Sequence, residues 1–230
     1  SMAAENGKRV QAQCEAKNHA LVLEDAELES TVSAIINSTY GCAGMRCMAL
    51  PVIVVQDSIA DQFTALLKKK ALEMKVGCAY DAETDLGPVV SEEHKTKICN
   101  WIQKGVDEGA ELVLDGRNVV VEGYEKGFYV GPTIFDHVKP GMDIGEREIF
   151  GPVTLIKRVR DFEEGITLMN ANPYANGSVI FTQSGYYARE FEIRTDGGMV
   201  GINVGIPVPS AYFPFSGNKD SFFGDLHVLG

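Results

Sequence analysis

The clearest chemical content of this 230-residue chain lies in Tyr40-Gly41-Cys42-Ala43-Gly44-Met45-Arg46-Cys47-Met48-Ala49. It is a turn of small residues in which a cysteine directly follows an arginine. A thiolate is the nucleophile a cysteine can offer. A neighbouring guanidinium, exposed backbone N–H groups and partial access to solvent all favour that thiolate over the thiol. Gly44, lacking a Cβ, lets the backbone approach a bound reactant closely. Taken alone, the decapeptide fits an ordinary buried cysteine better, because free cysteine is among the most buried residue types. The rest of the chain shifts that balance.

The elements that must position Cys47 alternate in type. His19 to Leu23 is a short apolar run, after which Leu28, Val32, Ile35 and Ile36 recur at helical spacing until Tyr40-Gly41. Pro51 opens Val52-Ile53-Val54-Val55, whose uninterrupted β-branched character suits a strand covered on both faces. Asp57-Ser58 then predicts the cap of a long helix with Ile59, Phe63, Leu66, Leu67, Leu72 and Val76 on its apolar side. Tyr80 to Val90 reads as loop. Ser91-Glu92-Glu93 starts a helix with Ile98, Trp101, Ile102 and Val106 on one face and Gly109 as its stop. Trp101 is read as packing.

Glu111–Leu114 and Val119–Val121 flank Asp115-Gly116-Arg117-Asn118, a hairpin-like signal. Tyr129 to Val138 reads as extended chain broken at Gly131-Pro132. Beyond it the pattern predicts strands over Val153–Val159, Val179–Thr182 and Val200–Val204. Helices are predicted over Phe162–Met169, capped near Asp161, and after Ser184, with Tyr187, Phe191 and Ile193. Pro207 to Gly230 is irregular, and a loop of that length is usually functional or awaits a partner. The expected fold is α/β, with a mostly parallel sheet, helices on both faces and Cys47 in a loop at one sheet end.

Composition bounds the function. Hydrophobic residues make up 45% and charged residues 23% of the chain, enough for a real core. A formal net charge of −11 argues against nucleic acid or an anionic membrane as the main partner. Lys68-Lys69-Lys70 sits on a helical pattern and reads as a solvated face. No apolar run reaches the roughly 18 residues of a membrane span. Ser1-Met2 reads as an expression-tag remnant, so targeting information ahead of it is expected to be lost. Cys14, Cys42, Cys47, Cys78 and Cys99 are odd in number and irregularly spaced, which suits a reducing compartment. With His19, His94, His137 and His227 scattered, no metal site is expected.

Several stretches together resemble one family. Gly44-Met45-Arg46-Cys47-Met48-Ala49, Asp85-Leu86-Gly87-Pro88, Gly131-Pro132-Thr133-Ile134 and Glu148-Ile149-Phe150-Gly151-Pro152-Val153 carry the resemblance. Asn172-Pro173-Tyr174, Asn203 and Pro207-Val208-Pro209 to Phe215-Ser216-Gly217 also fit. The chain resembles the catalytic half of an aldehyde dehydrogenase, more narrowly of the CoA-acylating methylmalonate-semialdehyde dehydrogenases. The resemblance implies that Cys47 attacks the aldehyde carbon, with its own N–H holding part of the oxyanion. It implies NAD as cofactor, with Glu148 and Phe150 at the nicotinamide ribose and ring, and coenzyme A as co-substrate. The plain alternative for Glu148 is a surface carboxylate.

Arg46 narrows the substrate. A guanidinium beside the nucleophile can grip a carboxylate bidentately, which suits malonate or methylmalonate semialdehyde. It could instead lower the thiol pKa or pair with a structural acid. Gln13-Cys14-Glu15-Ala16-Lys17-Asn18 aligns with the stretch in which hydrolytic relatives carry a general-base Glu; Gln13 occupies that position and cannot take a proton from water. The thioester is thereby left for CoA. Glu15 stands where the family has glycine, so a bulky acid there either disturbs the site or points away.

The resemblance also implies a division into 1–18, leading in from an NAD-binding domain, 19–205, the thiol domain, and 206–230, a substrate-entrance loop and truncated C-terminal segment. On that reading the Rossmann domain and the terminal pairing segment are missing and the fragment alone is inactive. The parent is expected to be a homo-oligomer, dimer or tetramer, in the bacterial cytoplasm or, if eukaryotic, the mitochondrial matrix. Two rivals stand beside the acylating enzyme: a hydrolytic semialdehyde dehydrogenase, and an inactive fragment whose contribution is packing or oligomerisation.

Overall fold

The computed structural model describes residues 2–224; Ser1 of the expected tag remnant and residues 225–230 of the irregular terminal segment lie outside the described residues. A short helix α1 (Met2–Glu5) and strand β1 (Ala12–Gln13) precede β2 (His19–Val22), all four of whose residues are buried. Helix α2 (Leu28–Tyr40) starts where the Glu27 carboxylate accepts the Glu29 and Ser30 N–H groups, satisfying donors that the first helical turn leaves free. It ends at Gly41, and a tight 3-10 turn, Gly41–Gly44, carries the chain onward. Strand β3 (Val52–Gln56) and helix α3 (Asp57–Glu73) follow, then α4 (Glu92–Asp107).

The second half repeats the alternation. β4 (Glu111–Leu114), β5 (Thr133–Asp136), the short α5 (Asp143–Glu146), β6 (Val153–Val159) and α6 (Phe162–Asn170) come first. β7 (Tyr174–Ala175), β8 (Gly177–Phe181), α7 (Gly185–Arg194), β9 (Met199–Ile202), β10 (Asn218–Lys219) and β11 (Phe222–Phe223) complete the chain. Ser91, Asp161 and Ser184 cap α4, α6 and α7, each accepting the N–H three residues on.

Seven strands form the central sheet in the order β4-β5-β6-β3-β2-β8-β9, parallel throughout except for β4 against β5. Every residue of β2 and β8 is buried, and so are the first four of β3 and first five of β6. That lack of alternation means both faces of the sheet's centre are covered, as the β-branched runs predict. Helices α2 and α3 pack on each other and on β3 and β6, while α6 packs on β2, β3 and β6. Gly165 of α6 lies against the Leu21 side chain, which leaves no room there for a Cβ.

The register fixes where the site must be. His19 of β2 pairs with Val52 of β3 and with Ser178 of β8, and Val52 pairs with Leu155 of β6. The segments entering these four strands therefore arrive at one end of the sheet, the amino end. Open parallel sheets more often bind ligands beyond their carboxyl ends. Here the loop bearing Cys47 and the turn bearing Glu148 and Phe150 meet at the opposite end.

Several local expectations need correction. Residues 119–121 form no strand; β4 pairs instead with β5, Glu111 opposite Asp136, so the predicted hairpin is replaced by a longer return. Gly116 explains the choice: its backbone packs onto Gly131 and binds the Thr133 hydroxyl, drawing this turn toward β5. Helix α3 stops at Glu73, leaves Leu72 exposed, and is preceded by Gln56 with no side-chain cap; Ser58 instead donates to Glu24. Tyr187 and Ile193 of α7 are exposed, and only Phe191 is buried. The irregular terminal segment holds two strand pairs, β10 with β7 and β11 with β1.

Candidate active site

Arg46, Cys47, Glu148 and Phe150, the residues the sequence singles out, line one small cleft of about 20 Å³, with Ala16, Asn18, Gly44 and Gly151 among its other walls. Cys47 is exposed and its thiol is free. Its backbone N–H makes no hydrogen bond among the described residues, while its carbonyl oxygen accepts two, from Asn18 Nδ2 at 2.9 Å and Asn176 Nδ2 at 3.0 Å. The Cys47 backbone is thus anchored on one side and leaves a free donor on the other.

Left-handed backbone precedes it. Cys42, Ala43 and Gly44 have φ of 51°, 53° and 70°, which turns the chain sharply after α2. A Cβ on Gly44 would collide with the Gly151 carbonyl, so the close approach this glycine permits is to the turn carrying Phe150.

Arg46 is half-buried. Its Nε donates to Cys42 Sγ at 3.3 Å, its Nη1 donates to the Asn37 carbonyl at 3.2 Å, and Nη2 has no partner among the described residues. The guanidinium lies over Gly41, where a Cβ would occupy the same space. Among the described residues its partners are a thiol and a carbonyl at the end of α2, where a cation is favoured by the helix dipole, and neither is an acid.

Glu148 is half-buried, with Oε1 accepting the Ala16 N–H at 3.3 Å and Oε2 without a partner among the described residues. Burial raises its pKa above the ordinary carboxylate value, and Glu15 adds to the rise against the Ala16 N–H and Lys17. Phe150 has φ of 60° and is 37% exposed as a residue. Beside the thiol, then, the cleft offers a carboxylate oxygen able to accept from hydroxyl groups and an exposed aromatic ring able to pack on a planar group.

Glu15 points away from the cleft. Its carboxylate accepts the Tyr174 hydroxyl at 2.6 Å and faces Arg147 at 3.5 Å. Gln13 is exposed on β1 and is not among the cleft-lining residues. Behind the cleft lies a buried basic group. Among the described residues Lys17 Nζ and His19 Nε2 have no hydrogen-bond partner, and His19 Nδ1–H donates to the Lys17 carbonyl at 2.7 Å. Burial, reinforced by Lys157, lowers Lys17 to about 7; burial and the same lysine hold His19 well below its usual value. Lys157 is paired to Glu146 at 3.0 Å, whose other oxygen accepts from Asn172.

Asn18 and Asn176 are the functional residues that sequence reasoning missed. Each is a lone amide at the mouth of a buried strand, and that position is the only signal they give. Asn18 Nδ2 also donates to the Ala49 carbonyl at 2.8 Å, and its Oδ1 accepts the Gly177 N–H at 2.8 Å. One side chain therefore fastens β2, the Cys47 loop and β8 together.

The sequence profile of the aldehyde dehydrogenase family matches residues 1–229. A malonate-semialdehyde dehydrogenase of Oceanobacillus iheyensis is 49% identical over 226 residues, 98% of this chain and 46% of that protein. The solved methylmalonate-semialdehyde dehydrogenase of Oceanimonas doudoroffii superposes with a TM-score of 0.96 at 42% identity, covering 99% of this chain and 47% of the other. A protein from Sinorhizobium meliloti 1021, provisionally assigned the same activity and solved with NAD, gives 0.97 at 44% identity, covering 99% and 47%. The chain spans about half the length of the relatives it matches.

Proposed function

From the premise that this chain belongs to the aldehyde dehydrogenase family, we propose that it is the thiol-bearing part of an NAD-dependent, CoA-acylating oxidoreductase acting on malonate or methylmalonate semialdehyde. The observation that carries the proposal is the convergence of Cys47, Arg46, Glu148 and Phe150 on one cleft at the amino end of the sheet. Names borne by the relatives at 42–49% identity support the substrate class.

The chemistry follows from the geometry. The Cys47 thiolate attacks the aldehyde carbon, and the carbonyl oxygen, becoming an oxyanion, meets the free Cys47 N–H. Arg46, tethered by Nε and Nη1, presents Nη2 to the substrate carboxylate. Glu148 Oε2 would accept from the ribose hydroxyls of NAD, and the Phe150 ring would pack against its nicotinamide. NAD, when bound, supplies the hydride acceptor that converts the adduct to a thioester. The thiolate of CoA then attacks the thioester carbonyl and displaces Cys47, which leaves as thiolate. Gln13, in place of a general-base Glu, activates no water.

On this reading residues 19–205 are the thiol domain, 1–18 leads in from a cofactor-binding domain, and 206–230 borders the substrate entrance and the C-terminal segment. The whole protein acts as a homo-oligomer in the bacterial cytoplasm. None of the described helices is long and apolar enough to cross a membrane. The test is NADH formation by the whole protein with malonate, methylmalonate and succinate semialdehydes, with and without CoA. CoA-dependent turnover on the first two supports the proposal; equal NADH production without CoA points to the hydrolytic rival. Inert thiols in this chain under alkylation at neutral pH point to a non-catalytic fragment.

A further inference from the structure

Phe150 is an aromatic residue held in the left-handed region, φ 60°, where a side chain with a Cβ is strained and persists only if its surroundings enforce it. Its carbonyl oxygen lies 2.7 Å from His94 Nε2, and the two rings meet edge to face with centroids 6.3 Å apart. A carbonyl only accepts, so His94 must carry a proton on Nε2 and donate. His94 is itself fixed, because its backbone N–H is the one that Ser91 caps at the start of α4. Four residues along the same helix, Ile98 packs so closely on Gly151 that no Cβ fits there, and Gly151 in turn abuts Gly44 of the nucleophile's turn.

We propose that His94 is a positioning residue that holds Phe150 in its strained conformation by donating a hydrogen bond to the Phe150 carbonyl, and so sets where the nicotinamide packs relative to Cys47. The inference rests on the functional reading above for its consequence and on geometry alone for its mechanism. Without the donor, the Phe150–Gly151 peptide is free to rotate toward ordinary φ and the ring leaves its place beside the thiol. Among the described residues no other group donates a hydrogen bond to the Phe150 carbonyl.

Three variants test it: His94→Phe keeps an aromatic edge without a donor, His94→Gln keeps an N–H at similar reach without the ring, and His94→Ala keeps neither. In crystals of this chain, Phe150 should leave positive φ in the Phe and Ala variants and retain it in Gln. In the whole protein, KM for NAD should rise about 3- to 10-fold in Phe and Ala, recover in Gln, and leave KM for the semialdehyde within twofold. Phe150 keeping its conformation in His94→Phe, or His94→Gln behaving no better than His94→Phe, would overturn the proposal. If the unmodified whole protein forms no NADH, the functional reading fails instead, while the crystallographic comparison still decides what His94 does.

Discussion

The Asn18 side-chain amide bridges the Cys47 and Ala49 carbonyls while its oxygen takes the Gly177 N–H. One buried residue thus sets both the height of the Cys47 loop above the sheet and the spacing of β2 from β8. Asn18→Ala strands the Gly177 N–H without an acceptor, a cost of about 1–3 kcal/mol before the loop's own loss is counted. Thermal unfolding of this chain should show the destabilisation. Alkylation should show the functional half: the Cys47 rate should change while Cys14, on the exposed lead-in, reacts as before. Asn18→Asp should be the worse variant, because it sets an acceptor-only carboxylate against two carbonyl oxygens.

Arg46 reaches its place only because Gly41 has no side chain. Arg46→Ala should raise KM for malonate and methylmalonate semialdehydes about 10- to 100-fold, the value of a charge-assisted pair, and leave an uncharged aldehyde unaffected. Gly41→Ala is the subtler test. Gly41 has φ of −55°, which alanine adopts freely, so what an added methyl disturbs is the guanidinium lying over it. It should reproduce the Arg46→Ala selectivity in weaker form. Equal losses on charged and uncharged aldehydes in both variants would show that Arg46 serves the loop and not the substrate.

Much of this was legible beforehand, for physical reasons. β-Branched runs announce strands buried on both faces, and Ser91, Asp161 and Ser184 announce helix starts, because both signals are local. The misses are long-range. Residues 119–121 have strand composition, but Gly116 is drawn onto Gly131 and Thr133, and no local pattern encodes that contact. Asn18 and Asn176 look like loop amides until the sheet register places both beneath Cys47. The register also puts the site at the amino end of the sheet, which strand identities alone do not fix.

Lys17 makes stability depend on pH in a predictable direction. Its folded pKa of about 7 lies below its ordinary 10.5. Between those values the unfolded chain holds the proton and the folded chain does not, so stability rises with pH across that window. Below about pH 7 the folded state carries the full penalty of a buried charge. Lys17→Met removes it. The variant should exceed the parent chain by on the order of a few kcal/mol near pH 6, with the gap closing as pH climbs toward 10. Urea midpoints of both chains from pH 6 to 10 would measure this, and a gap independent of pH would mean that the buried amine keeps one charge state across the whole range.

Asp136 should show the opposite dependence. Its carboxylate, 3% exposed at the end of β5, accepts Arg158 Nε at 3.2 Å and Nη2 at 2.7 Å, the His137 N–H at 2.6 Å and the Thr64 hydroxyl at 3.3 Å, joining β5, β6 and α3. Burial works to raise its pKa, but the Arg158 and His137 hydrogen bonds outweigh it and hold the carboxyl below its ordinary 3.8. A depressed folded pKa contributes stability that is present above the unfolded value and lost as pH falls through the folded one. Asp136→Asn, which leaves Arg158 with only the exposed Asp57 and Asp61, should cost about 3 kcal/mol at pH 7. Denaturation at pH 7 and again near pH 3 separates charge from shape: the deficit must shrink in acid, because below the ordinary 3.8 the unfolded parent chain takes up a proton that the folded carboxylate resists. A deficit of the same size at both values would assign the effect to hydrogen-bond geometry alone.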